Sequence, residues 1–227
     1  MPEQSEQTGR LFAYLCQTRK IPPRIVEELL HTGLLYQSES TVHCERDGQQ
    51  KTFHNANAVF VHRSGDGQAI GAEIQGLNSF KRFKSMAPGT GDSVFMFTPM
   101  PARDGKLHRA YLFESAIDLM SFYSFCQRKE LLEGSALISM AGLKPTVPKQ
   151  LQAEGVQIIS CVDADDAGKR FEHDNGFARS DSVRQKLDDF GFKDWNERLT
   201  FTANHPDIDL RTVHREQIEQ ITARRAH

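Results

Sequence analysis

Three carboxylates close the stretch Val156-Gln-Ile-Ile-Ser-Cys-Val-Asp163-Ala-Asp165-Asp166-Ala-Gly168, after a nearly continuous apolar run. Carboxylates two apart in an extended turn point the same way. Asp163 and Asp165 therefore offer oxygens to one hard divalent cation such as Mg²⁺. Glu114 ends a second apolar run, Arg109-Ala-Tyr-Leu-Phe113. A glutamate there costs free energy unless it is solvated, paired or metal-bound. Phosphoryl transfer needs its charge neutralised and its oxygens aligned, and clustered acids supply this through a metal. Plainer readings stand beside this one. Asp163 can cap the helix that follows, with Asp166 three residues on. Asp118 is explained as the partner of Ser115 in a capping box. Capping does not account for Glu114. Ala167 and Gly168 are small and leave room for a bulky group at the helix start.

The elements that must position these acids alternate strand and helix. Arg109–Glu114 reads as a strand, and Ser115 opens a helix running to about Leu131. A strand over Ala136–Met140, the Ala141-Gly142 loop and a helix after Pro145 come next, and the chain then enters the acidic stretch. The order β-α-β-α-β-α implies right-handed crossovers and a parallel sheet. Glu114 and Asp163 then both lie at strand carboxyl ends, where ligands bind in open α/β sheets.

The first half reads differently. Leu11–Cys16 and Ile21–His31 form two short amphipathic helices, the second with prolines in its first turn and Gly33 past its end. They pack together more simply than they would serve as a helix-turn-helix. Asn57–His62 and Ala69–Ile74 flank a turn-rich segment and read as a β-hairpin. Ser79-Phe-Lys81-Arg82-Phe-Lys84 interleaves basic and aromatic residues before the glycine-containing loop Ser85–Gly91. Such a segment either holds phosphates or is a solvated surface strand. Ser93–Thr98 is another strand. A linker over Pro99–Lys106 divides a smaller α+β domain, residues 1–105, from a parallel α/β domain, residues 106–200. A helical tail, residues 201–227, follows, with Val213, Ile218 and Ile221 on its buried side.

The net charge of -2 gives no global basic field for nucleic acid. The charge is uneven: residues 1–110 carry 13 Lys+Arg against 11 Asp+Glu, and residues 111–227 carry 15 against 19. The acidic half is the half with the carboxylates, as expected where a metal neutralises part of them. Cys16, Cys44, Cys126 and Cys161 form no C-x-x-C pair, and His43, Cys44 and His54 match no metal-site spacing. Scattered cysteines, a polar N-terminus unlike a signal peptide and no apolar run of membrane-spanning length predict a cytoplasmic protein.

Phe113-Glu114-Ser115-Ala-Ile-Asp118 and Val162-Asp163-Ala-Asp165-Asp166-Ala167-Gly168 resemble the two acidic motifs of the Toprim family, the catalytic domain of bacterial primases, topoisomerases and OLD-type nucleases. Ser139-Met-Ala-Gly142 looks like the intervening loop of primase-type members. Lys193-Asp194-Trp195-Asn196-Glu197-Arg-Leu199 resembles the trailing K-D-x-N-x-x-L stretch. The resemblance covers about residues 108–200. Glu-Ser-Ala-Ile-Asp resembles a primase-like branch of plasmid and conjugative-element proteins, which carry an N-terminal domain of unknown function, and residues 10–100 look like that domain. Ser115 stands where the family usually has Gly, and the region between Gly168 and Lys193 shows no clear fourth strand. Nothing in the sequence forms the zinc-binding template module of a replicative primase.

The resemblance implies a Toprim-type parallel sheet flanked by helices and metal-dependent nucleotidyl transfer on DNA, in replication or mobile-element transfer. Asp163, Asp165 and Glu114 would hold Mg²⁺ or Mn²⁺. Glu114 would also act as general acid/base, with Asp118 supporting the catalytic group. Lys81, Arg82, Lys84, Lys144, Lys169 and Arg170 would contact nucleic acid or phosphate. Single-stranded DNA, nucleotides and replication or conjugation proteins are the implied partners. A Toprim nuclease uses the same three acids, and a non-catalytic nucleic-acid-binding accessory protein would keep the fold. A phosphatase with an Asp nucleophile fits less well, because Asp166 follows the Asp-x-Asp pair in place of Thr or Val.

Overall fold

The structure, a computed structural model, describes residues 1–46, 49–78, 83–179, 187 and 190–223. Lys81 and Arg82 lie outside the described residues. The chain divides into two compact units, Met1–Phe95 and Met96–His227.

In the first unit, helix α1 (Gly9–Phe12) loosens into a π-helical turn over Ala13–Thr18. Helix α2 (Pro23–His31) begins at its prolines and buries Ile25, Val26 and Leu29. Gly33 follows it at φ +65°, a left-handed conformation that glycine adopts without strain. Four antiparallel strands come next: β1 (Leu35–Arg46), β2 (Gln49–Arg63), β3 (Ala69–Gly76) and β4 (Lys84–Met86), paired in chain order. The expected hairpin is the β2–β3 pair. β2 also reaches back to Gln49 and pairs with β1 along its whole length. The polar run Ser38–Gln50 hides this ribbon from a search for alternating apolar residues.

The second unit holds a five-stranded sheet in the order β5 (Phe95–Phe97), β7 (Ser135–Ser139), β6 (Arg109–Phe113), β8 (Gln157–Ser160), β9 (Ala178–Arg179). β6 is parallel to both neighbours, and β8 is parallel to β9. Ala110–Phe113, all of β7 and Ile158–Ser160 are buried, which is why these strands read as unbroken apolar runs. Helix α3 (Ala116–Phe125) buries every residue from Ala116 to Tyr123 and shows no polar face there. It ends earlier than expected, and a single 3₁₀ turn, Lys129–Leu132, follows. Ten helical residues rise about 15 Å and five strand residues about 17 Å, so α3 returns along the strand it follows without running further.

Helices α4 (Thr146–Ala153), α5 (Asp166–Asn175), α6 (Trp195–Asn204) and α7 (Arg215–Ala223) also belong to the unit. In α7 Ile218 is buried and Ile221 half-buried, while Val213, also half-buried, lies before the helix begins. No described helix is long and apolar enough to cross a membrane. The chain leaves β6 for β7 on one side and later returns to β8 on the other. β6 thus sits at the point where the strand order reverses, and the crevice at its carboxyl end lies between the loops after β6 and β8.

Candidate functional site

Glu114 directly follows β6, and Asp163 and Asp165 lie in the loop after β8, its hydrogen-bonded neighbour. The two loops touch: the Asp163 backbone N–H donates to Glu114 Oε1 at 3.3 Å. The third loop joins them from β7. Met140 N–H donates to Phe113 C=O at 2.9 Å, and Gly142 N–H to Glu114 C=O at 2.8 Å. Between these anchors Ala141 takes φ +50°, a conformation that costs a non-glycine residue about 1 kcal/mol or more. The Ala-Gly pair in Ser139-Met-Ala-Gly142 thus buys a tight hook onto the Glu114 backbone.

Asp165, not Asp163, caps α5. Its Oδ1 accepts the N–H groups of Ala167 and Gly168, each at 3.0 Å. The expected Asp163 cap fails because Asp163 sits two residues too early, where its backbone still bonds the β6 loop. Gly168 is small for an internal reason. A Cβ there would lie 2.2 Å from the Asp163 carbonyl oxygen, so the group that approaches the helix start is the protein's own backbone.

The electrostatics divide the acids. Burial pushes the Asp163 carboxyl up to about 7, helped by the negative charges of Glu114 and Asp194. Glu114 is also raised, chiefly by burial. Asp165 is lowered by the backbone N–H of Gly168, and further by Lys193 and the Ala167 N–H. Lys193 places Nζ 3.5 Å from Asp163 Oδ2 and 3.6 Å from Asp165 Oδ2. The two carboxylates therefore converge on one cation. Among the described residues, no three of His, Cys, Asp and Glu are grouped closely enough to hold a metal ion as they stand. The fit to a divalent ion is that of a two-carboxylate seat with an ammonium as its stand-in, and Glu114 is held beside it through the Asp163 backbone.

Asp118 lies one turn into α3 and is buried. Its Oδ2 accepts the Ser115 hydroxyl at 2.5 Å, and Ser115 Oγ in turn accepts the Asp118 N–H at 3.2 Å. Its Oδ1 accepts the backbone N–H of Asn196 at 3.2 Å, and the Asn196 amide donates to Ser121 Oγ at 2.9 Å. Asp118 thus ties the start of α6 to α3. Trp195 Nε1 donates to Cys161 C=O at 3.1 Å, which fixes α6 against the end of β8. Asp194 caps α6 by accepting the Glu197 N–H at 2.7 Å, and Glu197 accepts the Lys193 N–H at 2.6 Å. The Lys-Asp-Trp-Asn-Glu string is a clamp that brings Lys193 to the acids. Lys193 has no place among the residues expected to form the site, and its position at the head of that string is the signal that points to it.

Lys144 is half-buried in the loop after β7, and Lys169 and Arg170 are exposed in the first half of α5. Lys84 opens β4 in the first unit and is exposed. That unit carries an open groove of about 950 Å³, lined by Arg10, Tyr14, Ser38, Asn57 and Phe83 among others.

Residues 111–199 match the family described as Toprim-like. They form a Toprim-like domain. Residues 13–102, before it, match a family described as a protein of unknown function, DUF3991. Over 175 residues, 71% of this chain, the sequence is 28% identical to the uncharacterized protein pXO2-78 of Bacillus anthracis. The chain spans 45% of that relative's length. Among solved structures, it is similar to the primase fragment of the bacteriophage T7 primase-helicase protein, at 14% identity and a TM-score of 0.49, covering 80% of this chain and 66% of that one. It is also similar to the DnaG catalytic core, at 13% identity and a TM-score of 0.42, covering 93% and 71%. The Escherichia coli primase catalytic core gives 15% identity and a TM-score of 0.39, covering 71% and 50%. The Toprim-like domain contains Glu114, Asp118, Asp163, Asp165 and Lys193.

Proposed function

We propose that the Toprim-like domain carries out metal-dependent nucleotidyl transfer on nucleic acid, in the manner of a primase. The observation that carries the reading is the convergence of Asp163 and Asp165 on one cation, beside a raised Glu114, at the ends of neighbouring parallel strands. Asp163 and Asp165 would hold Mg²⁺ or Mn²⁺, and Glu114, which accepts the Asp163 backbone N–H, would stand beside them. The ion, when bound, neutralises phosphate charge and favours the ionised form of an attacking hydroxyl.

The remaining steps belong to the protein. Glu114 is a base whose affinity for protons is raised by burial, which suits it to take the proton of the attacking hydroxyl and return it to a leaving group. Asp118 does not meet the substrate. It orients α6, and through α6 Lys193, while the β7 loop fixes the Glu114 backbone. Lys144, Lys169 and Arg170 border the crevice and supply phosphate contacts, and Lys84 meets the nucleic-acid backbone in the first unit. Single-stranded DNA and nucleotides are the substrates on this reading, and transfer or replication of a mobile element is the setting.

The test is a labelled single-stranded DNA template with nucleotides and Mg²⁺ or Mn²⁺. Template-dependent extension that is lost in Glu114→Gln supports nucleotidyl transfer. Nicking of the template without synthesis assigns the same acids to a nuclease. Neither product, with DNA still bound, leaves a binding module and overturns the proposal.

A further inference from the structure

We propose that Lys193 is the resident counter-ion of the carboxylate pair, and that a divalent cation takes the seat only as the Lys193 ammonium leaves it. The inference rests on the metal reading above and adds the residue that sets how tightly that metal binds.

The oxygens identify the seat. Asp165 commits Oδ1 to the N–H groups of Ala167 and Gly168, so Oδ2 is the oxygen it presents to a cation. That same Oδ2, with Oδ2 of Asp163, is what Lys193 Nζ faces, at 3.6 and 3.5 Å. An ammonium and a divalent ion bound to the same two oxygens would stand within a few ångströms of each other, and like charges at that range repel strongly in a half-buried crevice. Occupancy is therefore exclusive.

The backbone permits the exchange. Ala164 N–H donates to Lys193 C=O at 2.7 Å, and Lys193 N–H donates to Glu197 at 2.6 Å. Both bonds hold the main chain between the acidic loop and the cap of α6. The side chain is 60% exposed, and its four-carbon stem lets the ammonium turn into solvent while the main chain stays in place. Without a metal, Lys193 offsets the repulsion between the two carboxylates and keeps their oxygens aimed at one point. With a metal bound, the displaced ammonium remains at the rim of the crevice, where an arriving phosphate is its natural partner.

Binding of Mn²⁺ to the full chain, followed by calorimetry and by the spin-resonance signal of free Mn²⁺, tests this in wild type, Lys193→Met, Lys193→Gln and Lys193→Arg. A half-exposed ion pair that must be broken lowers the apparent affinity by about fivefold, so both neutral variants bind Mn²⁺ about fivefold tighter than wild type. Lys193→Arg, which keeps the charge, stays near wild type. Affinity that is unchanged or weaker in the neutral variants overturns the counter-ion role and leaves the metal reading standing. No Mn²⁺ binding by wild type or any variant removes the metal reading, and this inference falls with it.

Discussion

Replacing Asp163 with Asn should stabilise the metal-free protein at alkaline pH while abolishing the proposed metal seat. The Asp163 side chain is 14% exposed, and its carboxyl is raised from 3.8 to about 7. The folded state therefore holds its proton more tightly than the unfolded chain does. For such a group the stabilisation is complete below the unfolded value and is lost as pH rises through the folded one. At 1.36 kcal/mol per tenfold change in proton affinity, forcing the carboxylate to ionise costs about 4 kcal/mol as an upper bound. Asn has no proton to lose. Urea titrations in the presence of a chelator should therefore find Asp163→Asn more stable than wild type by about 2–4 kcal/mol at pH 8, with the gap closing toward pH 4. Adding Mg²⁺ at pH 8 should stabilise wild type and leave the variant unchanged. A variant no more stable than wild type at pH 8, or a gap that does not change with pH, would refute the claim that burial sets the state of this acid.

Other substitutions probe the supports. Gly168→Ala forces a Cβ onto the Asp163 carbonyl, so it should cost about 1–3 kcal/mol by denaturation and weaken metal binding by displacing the acidic loop. Asp118→Ala leaves the Asn196 N–H without its acceptor and should destabilise by about 1–3 kcal/mol. Its effect on activity should follow the fold, with Asp118→Asn retaining more of both, since an amide oxygen still accepts that bond. Lys84→Ala should weaken single-stranded DNA binding evenly across sequences and reduce the salt dependence by about one phosphate contact, read by anisotropy at several salt concentrations.

The parallel sheet was legible because its strands are buried on both faces and read as apolar runs, each closed by a polar loop. Glu114 stood out in the sequence for the same reason, as a charge ending such a run. The β1–β2 ribbon was not legible, because its outer half is polar and owes its form to pairing between strands. The alternative reading of Asp163 as the cap of α5 falls two residues too early, since spacing alone cannot say which aspartate still belongs to the strand loop. The reason for Gly168 lay in a contact with the backbone five residues earlier, which sequence does not display. Lys193 was visible only as part of a string. Its meaning depends on α6 being docked by Asp118, Trp195 and Asn196, so that Lys193, just before the helix, reaches the acids after β8.

The most direct test of the central claim is calorimetric titration of the full chain with Mg²⁺ or Mn²⁺, beside the double variant Asp163→Ala/Asp165→Ala. Saturable binding by wild type that disappears in the double variant is the predicted result, and it places the metal at the crevice after β8. Binding that survives in the double variant, or none in wild type even with single-stranded DNA present, would contradict a metal-dependent Toprim-like enzyme.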